Sequence, residues 1–470
     1  MAADLGVVGL GVMGRNLALN FADHGYHVAG LDREPAAARI LAERSAACRA
    51  PAIAAPDRAG LVAVLARPRV VLLLIPAGAA VDEELALLAP LLEPGDIVVD
   101  GGNSHYQDTI RRAAGIRAHG QHFAGLGISG GERGARNGPS LMGGGDAPAY
   151  ARIGPMLTDI AARAAGRPCF AHVGPDGAGH FVKTLHNGIE YALMQLIAET
   201  AHVAHHLLGY AQGSVRAAFE EWARGWMDSF LMEVSIDALA ARDPESGRPL
   251  LELIVDKASQ KGTGQWSAAA ALEYGCPAPT IAEAVHARCL SALRPDRLRA
   301  EAALGHPRRA YAGAREEALA FLGQGLLAGS IAAYAQGFAV IHAASEAHGW
   351  NIDLALLARI WQGGCIIRSR LLEPMAEALT AGPAENPALA PAIVPILRPA
   401  EEGLRQTVAL GALHGVPLPA HGSALAYLDG LRTGRLWANM IEAQRDHFGA
   451  HGFARLDRPG KFHHDWTARP

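Results

Sequence analysis

Leu5-Gly6-Val7-Val8-Gly9-Leu10-Gly11-Val12-Met13-Gly14 decides the fold. A short apolar run enters three glycines spaced G-x-G-x-x-G, and an amphipathic segment follows from about Val12. A lone GxGxxG is a weak signal, but between a strand and a helix it marks the first turn of a dinucleotide-binding βαβ unit. The first glycine permits the tight turn. The second lets backbone approach a pyrophosphate, and the third allows close helix–sheet packing. The helix N-terminus then faces the phosphates.

Tyr26 to Leu31 is predicted as the second strand, and Asp32 closes it at the distance where such folds carry a ribose-binding acid. A carboxylate there accepts hydrogen bonds from both adenosine ribose hydroxyls and repels a 2′-phosphate. Arg33 pulls the other way, because a guanidinium can stack on adenine or bind a 2′-phosphate. Glu34 adds a second negative charge. Two carboxylates against one guanidinium favour NAD over NADP.

Further on, Val70 to Ile75 is apolar on both faces, as a buried parallel strand is. Asp96 to Asp100, His122 to Leu126, Ser140 to Met142 and Cys169 to Val173 extend the same sheet. The reading is an α/β Rossmann-type domain over residues 1–177. After Gly174-Pro175-Asp176-Gly177 the β-branched runs vanish, and Ala and Leu recur at helical spacing. Residues 178–435 are predicted to be all-helical. Trp222-Ala223-Arg224-Gly225 and Trp361-Gln362-Gly363-Gly364 hint at an internal repeat there, and chance similarity explains them equally well. Residues 436–470 hold Gly449, Gly452, Pro459 and Gly460, and read as an irregular C-terminal tail rather than a packed helix.

A chain of 470 residues exceeds one ordinary core, so two or three domains are expected. A net charge of −4 supplies no global field for nucleic acid or a membrane surface, so any basic patch is local and suits a small anion. The five cysteines are scattered, odd in number and without metal-ligand spacing. They read as free thiols in a reducing compartment, and no metal site is expected. Met1-Ala2-Ala3-Asp4 enters a strand at once, without the pattern of a signal peptide. The longest apolar runs look strand-sized and too short to span a bilayer. A cytoplasmic enzyme is expected.

The most informative stretch for chemistry is Lys183-Thr184-Leu185-His186-Asn187-Gly188-Ile189-Glu190-Tyr191. Lys183, His186, Asn187, Glu190 and Tyr191 fall at i, i+3, i+4, i+7 and i+8, on one helical face. A solvated face with a charge pair explains Lys183 and Glu190 well, but accounts poorly for His-Asn and a tyrosine among them. A lysine made less basic by burial can act as a general base. A glutamate with a raised pKa can act as an acid. Gly101-Gly102-Asn103-Ser104 ends a strand at the sheet edge where ligands of such folds bind. Ser129-Gly130-Gly131 offers a hydroxyl and backbone amides to an anion. Lys261-Gly262-Thr263-Gly264, Arg288, Arg445 and His451 are further anion-binding candidates.

Seven strings in order resemble the 6-phosphogluconate dehydrogenase family over essentially the whole chain. They are GLGVMGRN from Gly9, GGNSHY from Gly101, ISGGERGARNGPSLM from Ile128 and KTLHNGIEYALMQLI from Lys183. The others are DKASQKGTGQW from Asp256, WQGGCIIRS from Trp361 and QRDHFGAH from Gln444. The resemblance implies metal-free oxidation and decarboxylation of 6-phospho-D-gluconate to D-ribulose 5-phosphate, in the pentose phosphate pathway. Lys183 is implied as base and Glu190 as acid. Asn103, Ser129, Gly130, Gly131, His186 and Asn187 are implied as substrate contacts. Tyr191, Lys261, Thr263, Arg288 and Arg445 are implied toward the phosphate end, with His451 nearby. The implied cofactor wall is Gly9 to Gly14, Asp32 to Glu34, Ile75, Pro76, Ala77 and Asn103. A homodimer is implied, sometimes paired into a tetramer, with the tail of each subunit completing its partner's site. Departures from the family are Asp32-Arg33-Glu34, where Asn-Arg-Ser/Thr is usual, Pro76 for lysine, and His105 and Arg133 for glutamates. A β-hydroxyacid dehydrogenase acting on a non-phosphorylated acid would need Lys183 but not Lys261, Arg288 and Arg445. A non-catalytic nucleotide-binding protein would need neither Lys183 nor Glu190.

Overall fold

The apolar stretch at Leu5–Val8 forms β1, whose four residues are all buried. The computed structural model describes residues 2–260, 262–306, 310–382 and 386–466. Chain contacts divide it into a first unit through Ala424 and a second from Leu425.

In the first unit β1 leads to α1 (Val12–Asp23), β2 (Val28–Leu31), α2 (Pro35–Arg44), β3 (Ile53–Ala54) and α3 (Arg58–Val64). Then come β4 (Val70–Leu73), α4 (Ala79–Leu88), β5 (Ile97–Asp100), α5 (Tyr106–Arg117), β6 (His122–Ser129), α6 (Gly131–Asn137) and β7 (Ser140–Gly145). The domain ends with α7 (Ala147–Ile160), the small pair β8 (Arg163–Ala164) and β9 (Arg167–Pro168), and β10 (Phe170–Gly174). The main sheet has the order β10-β7-β6-β5-β4-β1-β2-β3. Neighbours are parallel except β6 and β7, which run antiparallel. The parallel pairing typical of such a sheet is therefore interrupted between β6 and β7. The link from Ser129 to Ser140 carries only the short α6 and is below the dozen residues or so that a parallel crossover needs. Two separate apolar clusters fill the two faces of the sheet. Such double coverage explains why β1, β2, β4 and β5 are buried at every position.

From Ala178 to the end of this unit the named elements are helical: α8 (Ala178–His202), α9 (Gln212–Trp222), α10 (Phe230–Ala240), α11 (Thr263–Glu273), α12 (Pro279–Ala292) and α13 (Arg294–Leu304). They continue as α14 (Arg315–His348), α15 (Leu354–Ile360), α16 (Leu372–Ala381), α17 (Val394–His414) and the start of α18 (Pro419–Arg432). Helix α8 packs on β6 and β7 as well as on α11, α12 and α14, so it joins the sheet to the helical part. Glycines permit this approach. A Cβ on Gly144 of β7 would lie 2.2 Å from Gly179 N, and one on Gly127 of β6 would lie 2.6 Å from Lys183 Cβ.

Helix α14 corrects the reading of apolar runs as strand-sized. It has 34 residues, and its most apolar 18-residue stretch has mean hydropathy 1.5. Two thirds of that stretch is buried against the rest of the fold, as in the core helix of a globular protein. The stretches that follow the two tryptophan strings of the suggested repeat meet one another. Phe230 N–H donates to Arg368 O at 3.0 Å and Arg370 N–H donates to Asp228 O at 2.9 Å, flanking a bridge between Ser229 and Ser369.

The second unit also departs from expectation, because it contains α19 (Ala438–Gly449) and a hairpin of β11 (Phe453–Ala454) and β12 (Lys461–Phe462). Asp446 organises it from a buried position. Its carboxylate accepts from Gly452 N, His463 Nδ1, His464 N and Trp466 Nε1 at 2.8–3.0 Å. Burial alone would raise its pKa, and these donors more than reverse that, holding it well below the usual carboxylate range.

Candidate active site

The glycine loop between β1 and α1 has one function per glycine. Gly9 has φ +93°, and a Cβ there would lie 2.5 Å from Leu74 O. A Cβ on Gly14 would lie 1.9 Å from Gly9 O, so only glycine lets α1 start beneath the loop. A Cβ on Gly11 would meet nothing within 4 Å. Backbone at Gly11 therefore faces open space, as close approach by a phosphate requires. Asp32 fixes the loop from the side. Its Oδ2 accepts from Leu10 N–H at 2.6 Å and its Oδ1 accepts from Glu34 N–H at 3.0 Å. Gly9, Gly11, Asp32, Arg33, Ile75 and Pro76 border a cavity of about 510 Å³. Met13, Ile75, Pro76, Ala77 and Asn103 border a neighbouring one of about 610 Å³. Val12 is half exposed at the loop, and Arg33 is mostly exposed, with Glu83 at 3.8 Å.

Helix α8 carries the polar face that its spacing predicts, and that face is buried rather than solvated. Lys183 is 7% exposed, with Nζ 3.4 Å from His186 Nδ1. Desolvation lowers its pKa, opposed by the negative charge of Glu190. His186 is fully buried. Its Nε2 lies 3.0 Å from Ser129 Oγ and 3.1 Å from Cys365 Sγ, and its Nδ1 lies 3.2 Å from Asn187 Oδ1. Burial, and then the Lys183 charge, push its pKa well down, so the ring is neutral and serves to orient. Glu190 is partly buried, and desolvation raises its pKa while Lys183 and Arg288 lower it. A weakened lysine base and a weakened carboxylate thus share one rigid face.

Arg288 projects from α12. Its guanidinium lies 3.4 Å from the centre of the Tyr191 ring, a stacked cation–π contact. Its Nη1 donates to Ser259 O at 3.3 Å, and no carboxylate pairs with it among the described residues. Thr263 begins α11 and is buried; Ser267, one turn on, donates to Thr184 O at 2.7 Å and ties α11 to α8. Gly130 and Gly131 follow Ser129 with φ +110° and +59°. Lys261 lies outside the described residues. Arg445 and His451 belong to the second unit, where both are exposed; Arg445 pairs with Glu442 at 2.7 Å.

Cys365, Trp266, Arg58 and Arg112 also border or brace these groups, and reading by motif passed over their roles. Cys365 is buried against His186, and its thiol is pushed up to about 12. Trp266 lines the cavity with Asn103 and packs edge-on against His105. Arg58 lines the cavity with Asp32 and forks onto Glu84 at 2.6–2.8 Å. Cys365 and Trp266 stand inside quoted strings, so that signal was present; nothing near Arg58 or Arg112 marks them.

A glycine loop open at Gly11, a carboxylate beside it and, on α8, a buried, weakened lysine define a nicotinamide-nucleotide dehydrogenase. Family models agree on which kind. The NAD binding domain of 6-phosphogluconate dehydrogenase matches residues 4–174, and the C-terminal domain of that enzyme matches residues 179–466. The chain belongs to the 6-phosphogluconate dehydrogenase family. It is 41% identical to the NADP(+)-dependent decarboxylating 6-phosphogluconate dehydrogenase of Bacillus subtilis, covering 98% of each chain. It is also 41% identical to the NAD(+)-dependent enzyme of the same organism, over 99% of this chain and 100% of the other. Among solved structures it resembles Plasmodium falciparum 6-phosphogluconate dehydrogenase, with a TM-score of 0.94 at 33% identity, covering 98% and 100% of the two chains.

Proposed function

We propose that this chain oxidises and decarboxylates 6-phospho-D-gluconate to D-ribulose 5-phosphate and CO2, reducing NAD or NADP, in gluconate utilisation and the pentose phosphate pathway. The observation that carries this reading is the buried Lys183–Glu190 pair on α8, with basicity and acidity both weakened by burial. The open face at Gly11 fits a pyrophosphate, so Gly9 to Gly14, Asp32 to Glu34, Ile75 to Ala77 and Asn103 hold the cofactor. Bound there, the cofactor supplies a nicotinamide that accepts hydride.

Neutral Lys183 takes the proton of the substrate 3-hydroxyl. The resulting ammonium polarises the new C3 carbonyl, which accepts the electrons released as CO2 leaves. Glu190, its carboxyl made less acidic by burial, then delivers a proton to C1 of the enediol. Asn103, Ser129, Gly130, Gly131, His186 and Asn187 orient the sugar acid. Tyr191, Lys261, Thr263 and Arg288 take the phosphate end, and Arg445 and His451 reach it from a partner subunit in a homodimer, or in a pair of dimers. Asp32 and Glu34 favour NAD. Five unpaired thiols suit the cytoplasm, and no step calls for a metal.

A turnover assay with 6-phosphogluconate, following reduced-nicotinamide absorbance with NAD and NADP side by side, tests the reading. Turnover with release of CO2 is expected. Turnover of a non-phosphorylated β-hydroxyacid in its place would overturn it.

A further inference from the structure

Arg112 is a buried cation that the chemistry above does not use. It projects from α5, and its side chain is 1% exposed. Its Nε donates to Asp82 Oδ1 at 2.9 Å. Its Nη2 donates to Asp82 Oδ2 at 3.0 Å and to Gly78 O at 2.9 Å. On its other side, Nη1 donates to Ser104 Oγ at 3.3 Å and lies 3.6 Å from Asp100 Oδ2. Asp100 in turn shapes the turn beyond β5, accepting from Gly102 N–H at 3.0 Å and from Ser104 Oγ–H at 2.6 Å. One planar guanidinium therefore grips two turns. The first runs from Ile75 to Gly78 into α4, and the second runs from Gly101 to Ser104 into α5. Both turns line the same 610 Å³ cavity.

We infer that Arg112 is a positioning residue that locks these two turns together, so that cofactor on the first and substrate on the second bind cooperatively. The inference rests on the proposed assignment of Ile75 to Ala77 to the cofactor and of Asn103, which also meets the cofactor, to the substrate. Ordering either turn costs free energy. With the brace in place, the first ligand orders both turns, and the second meets a wall already set. The coupling is reciprocal, because each ligand must change the other's affinity by the same factor. A rigid fork does this and a point charge does not: a lysine ammonium cannot reach Gly78 O, Asp82 and Ser104 together.

The test measures dissociation constants by calorimetry on the full-length enzyme, using reduced cofactor so that no turnover occurs. In the wild type, saturating 6-phosphogluconate should tighten reduced-cofactor binding at least about fivefold, and the reverse titration should give the same factor. Arg112→Lys keeps the charge but loses the fork, and its coupling factor should fall to within about twofold of one. Asp82→Asn, at a partly exposed position, releases the Gly78 side and serves if the lysine variant does not fold. An uncoupled wild type would overturn the inference. So would a folded variant whose separate affinities and melting temperature fall while its coupling factor stays. Failure of the functional reading is distinguishable, since it shows as absent wild-type turnover.

Discussion

Lys183 and Glu190 face a protonation problem that burial eases. The reaction needs the lysine neutral and the glutamate protonated. With ordinary values of 10.5 and 4.5, only about one molecule in a million would hold both states at once. Burial lowers the first and raises the second, while their mutual attraction opposes both shifts. Lys183→Met should lower kcat by at least roughly a thousandfold while cofactor binding, followed by fluorescence, survives. Glu190→Gln should slow C1 proton exchange in ribulose 5-phosphate. The same variant removes the negative charge that raises the Lys183 pKa, so the acidic limb of kcat/KM, where Lys183 gains its proton, should move to lower pH. A limb that stays put, or moves up, would separate the two groups. At the cofactor end, Asp32 already accepts Leu10 N–H and Glu34 N–H, so it stands fixed beside its cavity. A fixed carboxylate there favours NAD by at least roughly tenfold in kcat/KM, since a charged hydrogen bond is worth about 1.5–3 kcal/mol and 1.4 kcal/mol is tenfold. Asp32→Asn with Glu34→Thr should shift preference toward NADP, because Arg33 remains. A wild type that prefers NADP would show that Arg33 governs the pocket.

Among the elements, the strands and the chemistry helix were the most legible, and for a physical reason. A strand buried on both faces must be apolar throughout, so β1, β4 and β5 announce themselves. Helix α8 packs on a sheet and three helices, so polar groups persist along it only where they serve a purpose, and its i, i+3, i+4, i+7, i+8 face survives as the candidate site. The reversal of β7 was not legible, because direction depends on link length rather than on strand composition. Helix α19 was missed because its flanking glycines read as a loop and its large apolar residues, Met440, Ile441 and Phe448, are exposed. Arg112 owes its position to contacts between separate segments, which no local pattern encodes. Two element-level outcomes follow. Gly14→Ala puts a methyl 1.9 Å from Gly9 O, so the first turn of α1 must move. The variant should lose about 1–3 kcal/mol of stability and raise cofactor KM severalfold, checked by denaturant melts and steady-state kinetics. Asp446→Asn turns an acceptor-only group, which meets four donors, into one that is half donor. Amide exchange at Gly452 and His464 should quicken about tenfold or more, while exchange in β1 is unchanged.

At the scale of the whole molecule, each unit leaves apolar surface uncovered. In the first unit Leu253, Ile254 and Val255 are exposed, and in the second so are Trp437, Met440, Ile441 and Phe448. Runs of this kind suit burial in a subunit interface. The proposed tail exchange makes a sharp numerical claim. Deleting residues 445–470 removes Arg445 and His451, and should raise the KM for 6-phosphogluconate at least about tenfold, the loss of one charged hydrogen bond. At substrate concentrations far below that raised KM, the truncated enzyme is nearly silent, and full-length Lys183→Met is silent at any concentration. Mixing the two in equal amounts with subunit exchange makes half the dimers mixed. Each mixed dimer then holds one site with Lys183 from the truncated subunit and an intact tail from its partner, and one site with neither. Recovery to about a quarter of wild-type activity is therefore expected for a twofold assembly. If each tail instead completes the site of its own chain, every site in the mixture lacks either Lys183 or its tail. Mass spectrometry would then find mixed dimers and the assay would find no recovery.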